Sequence, residues 1–234
     1  MKNIVLEYNN VEIKLDSELR ISDLSLIVNH GEFIFLIGKT GSGKSSILKS
    51  MYSENKILNG EAKISNTDLR TISEKEIPFL RRKIGVIFQD FQLLKDRTVF
   101  KNLEFVLNAT GWSNKNKINE RIMFCLDKVH ISNLSEKYPS QLSGGQKQKV
   151  AIARSLLNKP EIIIADEPTG NLDPKSSIEI MNVLQEINKN GNTIVMTTHD
   201  FSLLRKYAGR ILRCKDGKID EINSSELNIE TVYQ

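Results

Sequence analysis

Five consecutive apolar residues, Phe33-Ile34-Phe35-Leu36-Ile37, run directly into Gly38-Lys39-Thr40-Gly41-Ser42-Gly43-Lys44-Ser45. An unbroken apolar run ended by a glycine-rich turn fits a strand covered on both faces. From Ser45 onward the pattern reads as a helix, so the segment is a strand, a glycine loop and a helix. Ile84–Phe88, Ile162–Ala165 and Thr193–Thr197 read as further buried strands. Helices are expected over Gln146–Leu157, stopped before Pro160, and around Ile178–Ile187. Strands alternating with helices predict a mainly parallel α/β core with right-handed crossovers. Ahead of it, Ile4–Tyr8, Val11–Leu15 and Ser25–Val28 alternate in the manner of half-buried strands. From about Thr98 to Ser140 the periodicity turns helical, with Val99, Leu103, Val106 and Leu107 on one stripe and Ser113–Lys117 as a loop between helices.

The glycine segment fits G-x-x-x-x-G-K-[ST], a phosphate-binding loop, in the strand-to-helix context that the pattern requires. Its glycines let backbone N–H groups converge on phosphate oxygens, and the helix N-terminus favours negative charge there. Lys44 is expected on the β- and γ-phosphates and the Ser45 hydroxyl on Mg²⁺, with Thr40, Gly41, Ser42, Gly43 and Ser46 completing the cradle. Lys39 is expected to face solvent. Asp166-Glu167 follows the strand Ile162–Ala165, and the C-terminal ends of strands are where an α/β sheet places its ligands.

Other features narrow the class. No apolar run approaches the roughly 20 residues that span a bilayer, and the start is not a signal peptide, so a membrane role would need another chain to supply the spans. The net charge of +4 is modest and the basic residues are scattered apart from Arg81-Arg82-Lys83. Direct nucleic-acid binding is therefore not expected. That cluster reads as a solvated helix end, or as a group near anionic lipid headgroups. Cys125 and Cys214 are far apart without metal-type spacing and are expected to be reduced packing residues. His30 and His130 are expected at the surface or in packing.

Leu142-Ser143-Gly144-Gly145-Gln146 lies between the glycine loop and the acidic pair. With those motifs it resembles the signature of the nucleotide-binding subunits of ABC transporters, over residues from about 4 to 220. The resemblance implies a P-loop NTPase core with an N-terminal antiparallel β subdomain and an inserted α-helical subdomain at about 90–155. All 234 residues would form one nucleotide-binding domain, ending in a polar tail at about 222–234. It implies ATP hydrolysis, with Asp166 supporting Mg²⁺ and Glu167 as the general base for the attacking water. Gln89 matches the glutamine that contacts Mg²⁺ or that water, and His199 matches the histidine on the γ-phosphate. Ser143, Gly144, Gly145 and Gln146 would hold ATP bound on a second subunit, so a homodimer would form two composite sites. Asn171-Leu172-Asp173 matches the D-loop between them, with Asp173 setting geometry.

The family stacks adenine on an aromatic residue upstream of the P-loop. Here that register is Ile13-Lys14-Leu15, which leaves Lys14 or Leu15 to cover the base with an aliphatic stem. Tyr8 falls earlier and reads as a core or sheet-face residue. Phe88-Gln89-Asp90-Phe91-Gln92-Leu93-Leu94-Lys95-Asp96-Arg97-Thr98-Val99 is similar to the FtsE group of cell-division ATP-binding proteins. That likeness implies an integral membrane partner resembling FtsX and a peripheral place at the cytoplasmic face of the bacterial plasma membrane. The alternative is an ATPase of a lipoprotein-release or macrolide-type exporter, whose Asp166–Asp173 stretch is shared.

Overall fold

The computed structural model describes residues 4–14, 21–215 and 217–223. The core is a six-stranded sheet in the order β10-β9-β3-β8-β7-β6. Its strands are β3 (Phe33–Ile37), β6 (Ile84–Ile87), β7 (Ile162–Ala165), β8 (Thr193–Thr197), β9 (Arg210–Lys215) and β10 (Lys218–Ile222). From β9 through β3, β8 and β7 to β6 every pairing is parallel, and only β10 is antiparallel to its neighbour.

The apolar runs have a simple cause. Successive side chains of a strand point to opposite faces. Phe33, Phe35 and Ile37 join one core cluster, while Ile34 and Leu36 join the other. β7 divides likewise, Ile163 and Ala165 against Ile162 and Ile164. One face is covered by helices α3 (Val99–Ala109), α4 (Lys115–Lys128), α5 (Gly144–Leu156) and α6 (Pro174–Lys189). The other packs against α1 (Lys44–Met51) and a second sheet.

That sheet is antiparallel, ordered β2-β1-β4-β5. Its strands are β1 (Ile4–Ile13), β2 (Ile21–Asn29), β4 (Ile57–Ile64) and β5 (Thr67–Asp68). The two strands expected at Ile4–Tyr8 and Val11–Leu15 are one strand, β1. Asn9-Asn10 looks like a turn but forms an irregularity in the ladder, with Asn10 at φ 49°. Gly60 of β4 makes this possible, because a Cβ there would stand 2.4 Å from the Asn10 carbonyl oxygen. Tyr8 is fully buried, its hydroxyl 3.0 Å from Ser50 Oγ.

Two further expectations are corrected. The loop assigned to Ser113–Lys117 ends at Asn114, whose side chain accepts from the Lys117 N–H and starts α4. The helix expected from Gln146 begins at Gly144, because Ser143 caps it. Arg81 and Arg82 do close a helix, α2 (Ile77–Arg82). The last helix, α7 (Phe201–Lys206), is capped by Asp200. Leu15 and residues 224–234 of the expected tail lie outside the described residues.

Candidate active site

Strand register gathers the motifs. Leu36 pairs with Thr197, Met196 with Ala165, and Ala165 with Ile87. The C-terminal ends of β3, β8, β7 and β6 therefore lie side by side, at spacings of about 4.8 Å. From these ends emerge, in the same order, the Gly38 loop, His199, Asp166-Glu167 and Gln89.

The loop is built to receive an anion. The helices α3, α4, α5 and α6 each begin with a side-chain cap, from Thr98, Asn114, Ser143 and Asp173. α1 begins with Gly43 at φ 100° and has none, so its positive end opens on the loop. The buried Ser42 hydroxyl has no hydrogen-bond partner, which is costly unless a ligand supplies one. Lys44 donates from Nζ to the carbonyls of Gly38 and Lys39, both at 2.8 Å. Burial lowers its pKa, and Glu167, Cys214 and Asp166 oppose that. Lys39 itself is exposed, and Ser46, half-buried, accepts from Asn55 through its carbonyl.

Asp166 Oδ1 accepts from two hydroxyls, Ser45 Oγ at 3.2 Å and Thr197 Oγ1 at 2.7 Å. Thr197 Oγ1 also accepts from the Glu167 N–H at 2.8 Å. Glu167 holds a left-handed backbone, φ 46°, an uncommon state for a non-glycine residue. Its Oε1 lies 2.7 Å from His199 Nε2. Gln89 is adjacent, since its Nε2 and Glu167 Oε2 both lie 3.2 Å from where a Cβ on Gly170 would stand. Asn171 donates to the Gln89 carbonyl at 3.2 Å. Beside these groups runs a cleft of about 490 Å³ bordered by Glu167, Gly170, Leu172 and His199.

The signature pentad forms a second cluster. Ser143 accepts from the Gln146 N–H and Gln146 Oε1 accepts from the Ser143 N–H, a capping box. A Cβ on Gly145 would sit 3.0 Å from Ser176 Oγ, and one on Gly144 3.2 Å from Leu172. Asp173 caps the adjacent α6, and hydrogen bonds from Ser176 hold its carboxyl below the usual range. Two helix N-termini thus lie side by side, and the first turn of α6, through Pro174 and Ser177, borders the same cleft as Glu167 and His199.

Magnesium can be tested against the donors. Among the described residues no three His, Cys, Asp or Glu side chains gather as a metal cage. Magnesium commonly binds through one or two carboxylates plus substrate phosphates, and the Ser45–Asp166 pair beside the phosphate loop fits that habit.

Residues 21–170 match the ABC transporter family. The chain belongs to the ABC transporter family. A cell division ATP-binding protein FtsE of Bacillus subtilis is 46% identical over 199 residues, covering 85% of this chain and 87% of that one. Its counterpart in Streptococcus pneumoniae is 38% identical over 219 residues, covering 94% and 92%. A dimeric ABC cassette, MJ0796 in a post-hydrolysis state bound to ADP and Pi, superposes with TM-score 0.81 at 35% identity, covering 94% and 98%. The chain is thus an ABC ATPase subunit, most similar to FtsE proteins. Among the described residues no helix is long and apolar enough to cross a membrane.

Three contributors escaped the motif reading. Thr197 ties Asp166 to the Glu167 backbone, and only its place at a strand end marks it. Cys214 on β9 donates from Sγ to the Ser42 carbonyl at 2.9 Å. Arg154 of α5 donates to the carbonyls of Phe91, at 3.0 Å, and Gln92. Those two residues carry φ values of 61° and 46°. Burial lowers the Arg154 pKa, and Asp90 opposes that. His130 lies at the surface, 3.3 Å from Glu186, and His30 is exposed. Both cysteines are buried thiols.

Proposed function

We propose that two copies of this chain close on two ATP molecules and hydrolyse them as the ATPase of an FtsEX-like complex in cell division. The observation that carries the ATPase chemistry is the convergence of Ser45, Asp166, Glu167 and His199 on one edge of the sheet. Backbone amides of Gly38–Ser46 take the phosphates, and Lys44 exchanges its two carbonyl partners for β- and γ-oxygens. Ser45, Asp166 and Gln89 would hold Mg²⁺, which supplies charge neutralisation on the phosphates. Glu167 accepts a proton from the attacking water as the water oxygen bonds to the γ-phosphorus and the bond to the β-bridging oxygen breaks. His199 orients the γ-phosphate and, through its contact with Glu167, the base. Ser143, Gly144, Gly145 and Gln146 contact the ATP of the partner subunit, and Asp173 shapes the crossing between the sites.

The membrane partner, of the FtsX type, docks in a groove of about 290 Å³ between α2 and α3, lined by Arg82, Val86, Val106, Thr110 and Arg154. ATP binding favours the closed dimer, which bends the partner and switches on cell-wall hydrolases across the membrane. The subunit sits peripherally at the cytoplasmic face. Support for the cell-division assignment comes from the FtsE relatives. The experiment is capture of the tagged Glu167→Gln subunit from solubilised membranes with ATP. An FtsX-like protein with division or wall-hydrolase components bears the reading out. A lipoprotein-release or efflux assembly instead would keep the chemistry and refute the purpose.

A further inference from the structure

The helices that wall the docking groove carry large apolar side chains on the outside. Phe79 of α2 is 60% exposed and Phe105 of α3 is 48% exposed. Each ring lies under a guanidinium. Arg82 stands 4.8 Å from the Phe79 centroid and Arg97 4.8 Å from that of Phe105. α2, Ile-Pro-Phe-Leu-Arg-Arg, has no acidic residue. Arg81, Arg82 and Arg154 line the groove with no carboxylate among its lining residues. Arg81 and Arg154 are tied to backbone carbonyls, which leaves Arg82 to meet a headgroup there.

A ring with a cation at its face is suited to the boundary between headgroups and acyl chains. The ring enters the apolar side, and the guanidinium stays with the phosphodiester, which it can meet with two parallel N–H bonds. Juxtamembrane basic groups gain further from the negative surface potential of anionic lipids. We propose that the Phe79–Arg82 and Phe105–Arg97 pairs seat the rim of the groove on anionic lipid headgroups while the membrane partner occupies its floor. This rests on the reading that the groove faces the membrane. Lipid is favoured over a second protein because the two rings sit on α2 and α3, the separate helices that wall the proposed docking site, and each pairs with a guanidinium, Arg97 from the segment just before α3.

A third ring provides the control. Phe124 of α4 is 51% exposed and lies under Arg121 at 5.1 Å. It borders a different groove, between α4 and α6. Arg121 is committed to capping α5, donating to the carbonyls of Leu156 and Leu157, and Lys128, whose ammonium stands 5.7 Å from the same ring, lacks the two-pronged fork of a guanidinium.

The test is flotation of the purified subunit with vesicles of phosphatidylcholine alone or with one third phosphatidylglycerol, across a salt series. Binding is expected on the anionic vesicles only and should weaken as salt screens the headgroups. The Phe79→Ala/Phe105→Ala double variant should bind them about tenfold less, since the exposed parts of two rings no longer leave water. Phe124→Ala should bind as the parent does. ATP binding by the double variant shows that it has folded. Failure of the parent to float, equal flotation of the double variant, or an equal loss in Phe124→Ala overturns the proposal. A protein captured through Phe79 and Phe105 without any flotation would assign the rim to a protein instead. If the membrane partner still co-purifies while flotation fails, the lipid contact is wrong and the docking reading stands; flotation without a membrane partner gives the reverse.

Discussion

Replacing Arg154 by Met should disable turnover while leaving nucleotide binding nearly intact. Arg154 reaches from α5 to the carbonyls of Phe91 and Gln92, just beyond Gln89. Two hydrogen bonds from a charged donor stabilise this arrangement by about 3–6 kcal/mol together. Opposing them, two consecutive non-glycine residues in the left-handed region cost about 2–4 kcal/mol. The held conformation therefore wins by a narrow margin, and without the guanidinium it is the disfavoured one by roughly the whole strain. A deficit of about 2 kcal/mol leaves about 3% of molecules with Gln89 placed for chemistry, so kcat should fall about thirtyfold or more. The Michaelis constant for ATP should stay within about threefold, because the phosphate loop is held by other residues. Steady-state ATPase assays over a range of ATP concentrations read both quantities, and a melting curve reports any general loss of stability. Glycines at 91 and 92 in the Met background remove the strain and should restore part of kcat. Arg154→Lys should be intermediate, since an ammonium lacks the rigid fork. A parental kcat in Arg154→Met, or no recovery with the glycines, would refute the reasoning.

Other outcomes follow from the same geometry. Glu167→Gln is expected to bind ATP, lose turnover by about a hundredfold or more and accumulate as a dimer in sizing experiments; parental turnover would sink the base assignment. Ser143→Arg should abolish ATP-dependent dimerisation while monomer binding of ATP persists, because its bulk fills the place of the partner's γ-phosphate; unchanged dimerisation would rule that out. Gly38→Ala puts a Cβ 2.3 Å from the Cys214 carbonyl oxygen at φ 146°, so ATP affinity should drop by an order of magnitude or more, read by equilibrium titration. Burial pushes the Cys125 thiol up to about 11. The unfolded chain therefore releases this proton first, and the thiol's contribution to stability falls as pH rises from the ordinary thiol range towards about 11. Urea midpoints for Cys125→Ala and the parent should converge across that interval; parallel midpoints would contradict it.

The parallel core was legible because each of its central strands is apolar on both faces, and the glycine loop and acidic pair sit where such strands end. The antiparallel sheet was legible only in part. Asn9-Asn10 carries the local signal of a turn, and the Gly60 contact that makes it a bulge is fifty residues away in sequence. The β9–β10 hairpin could have been found, since Asp216-Gly217 is a strong hairpin signal, but its charged flanks hide the alternation. The same limit applies to the site. Gln89, Asp166, Glu167 and His199 stand in recognisable motifs, whereas Arg154 is one arginine on a helix until the fold brings it to Phe91. Nor does sequence show that Thr197 shares a carboxylate oxygen with Ser45.

In the proposed binding mode, the two carbonyls that hold Lys44 make nucleotide affinity a difference between two occupied states. The amine is already compensated inside the protein, so phosphate must outcompete Gly38 and Lys39 rather than meet a bare charge. Binding energy is reduced by what those bonds were worth. In that mode, the cation has the Gly38 and Lys39 carbonyls to return to when product leaves. A motor that must let go as often as it takes hold gains from such a resting place, because it trades some tightness of grip for the ability to begin again.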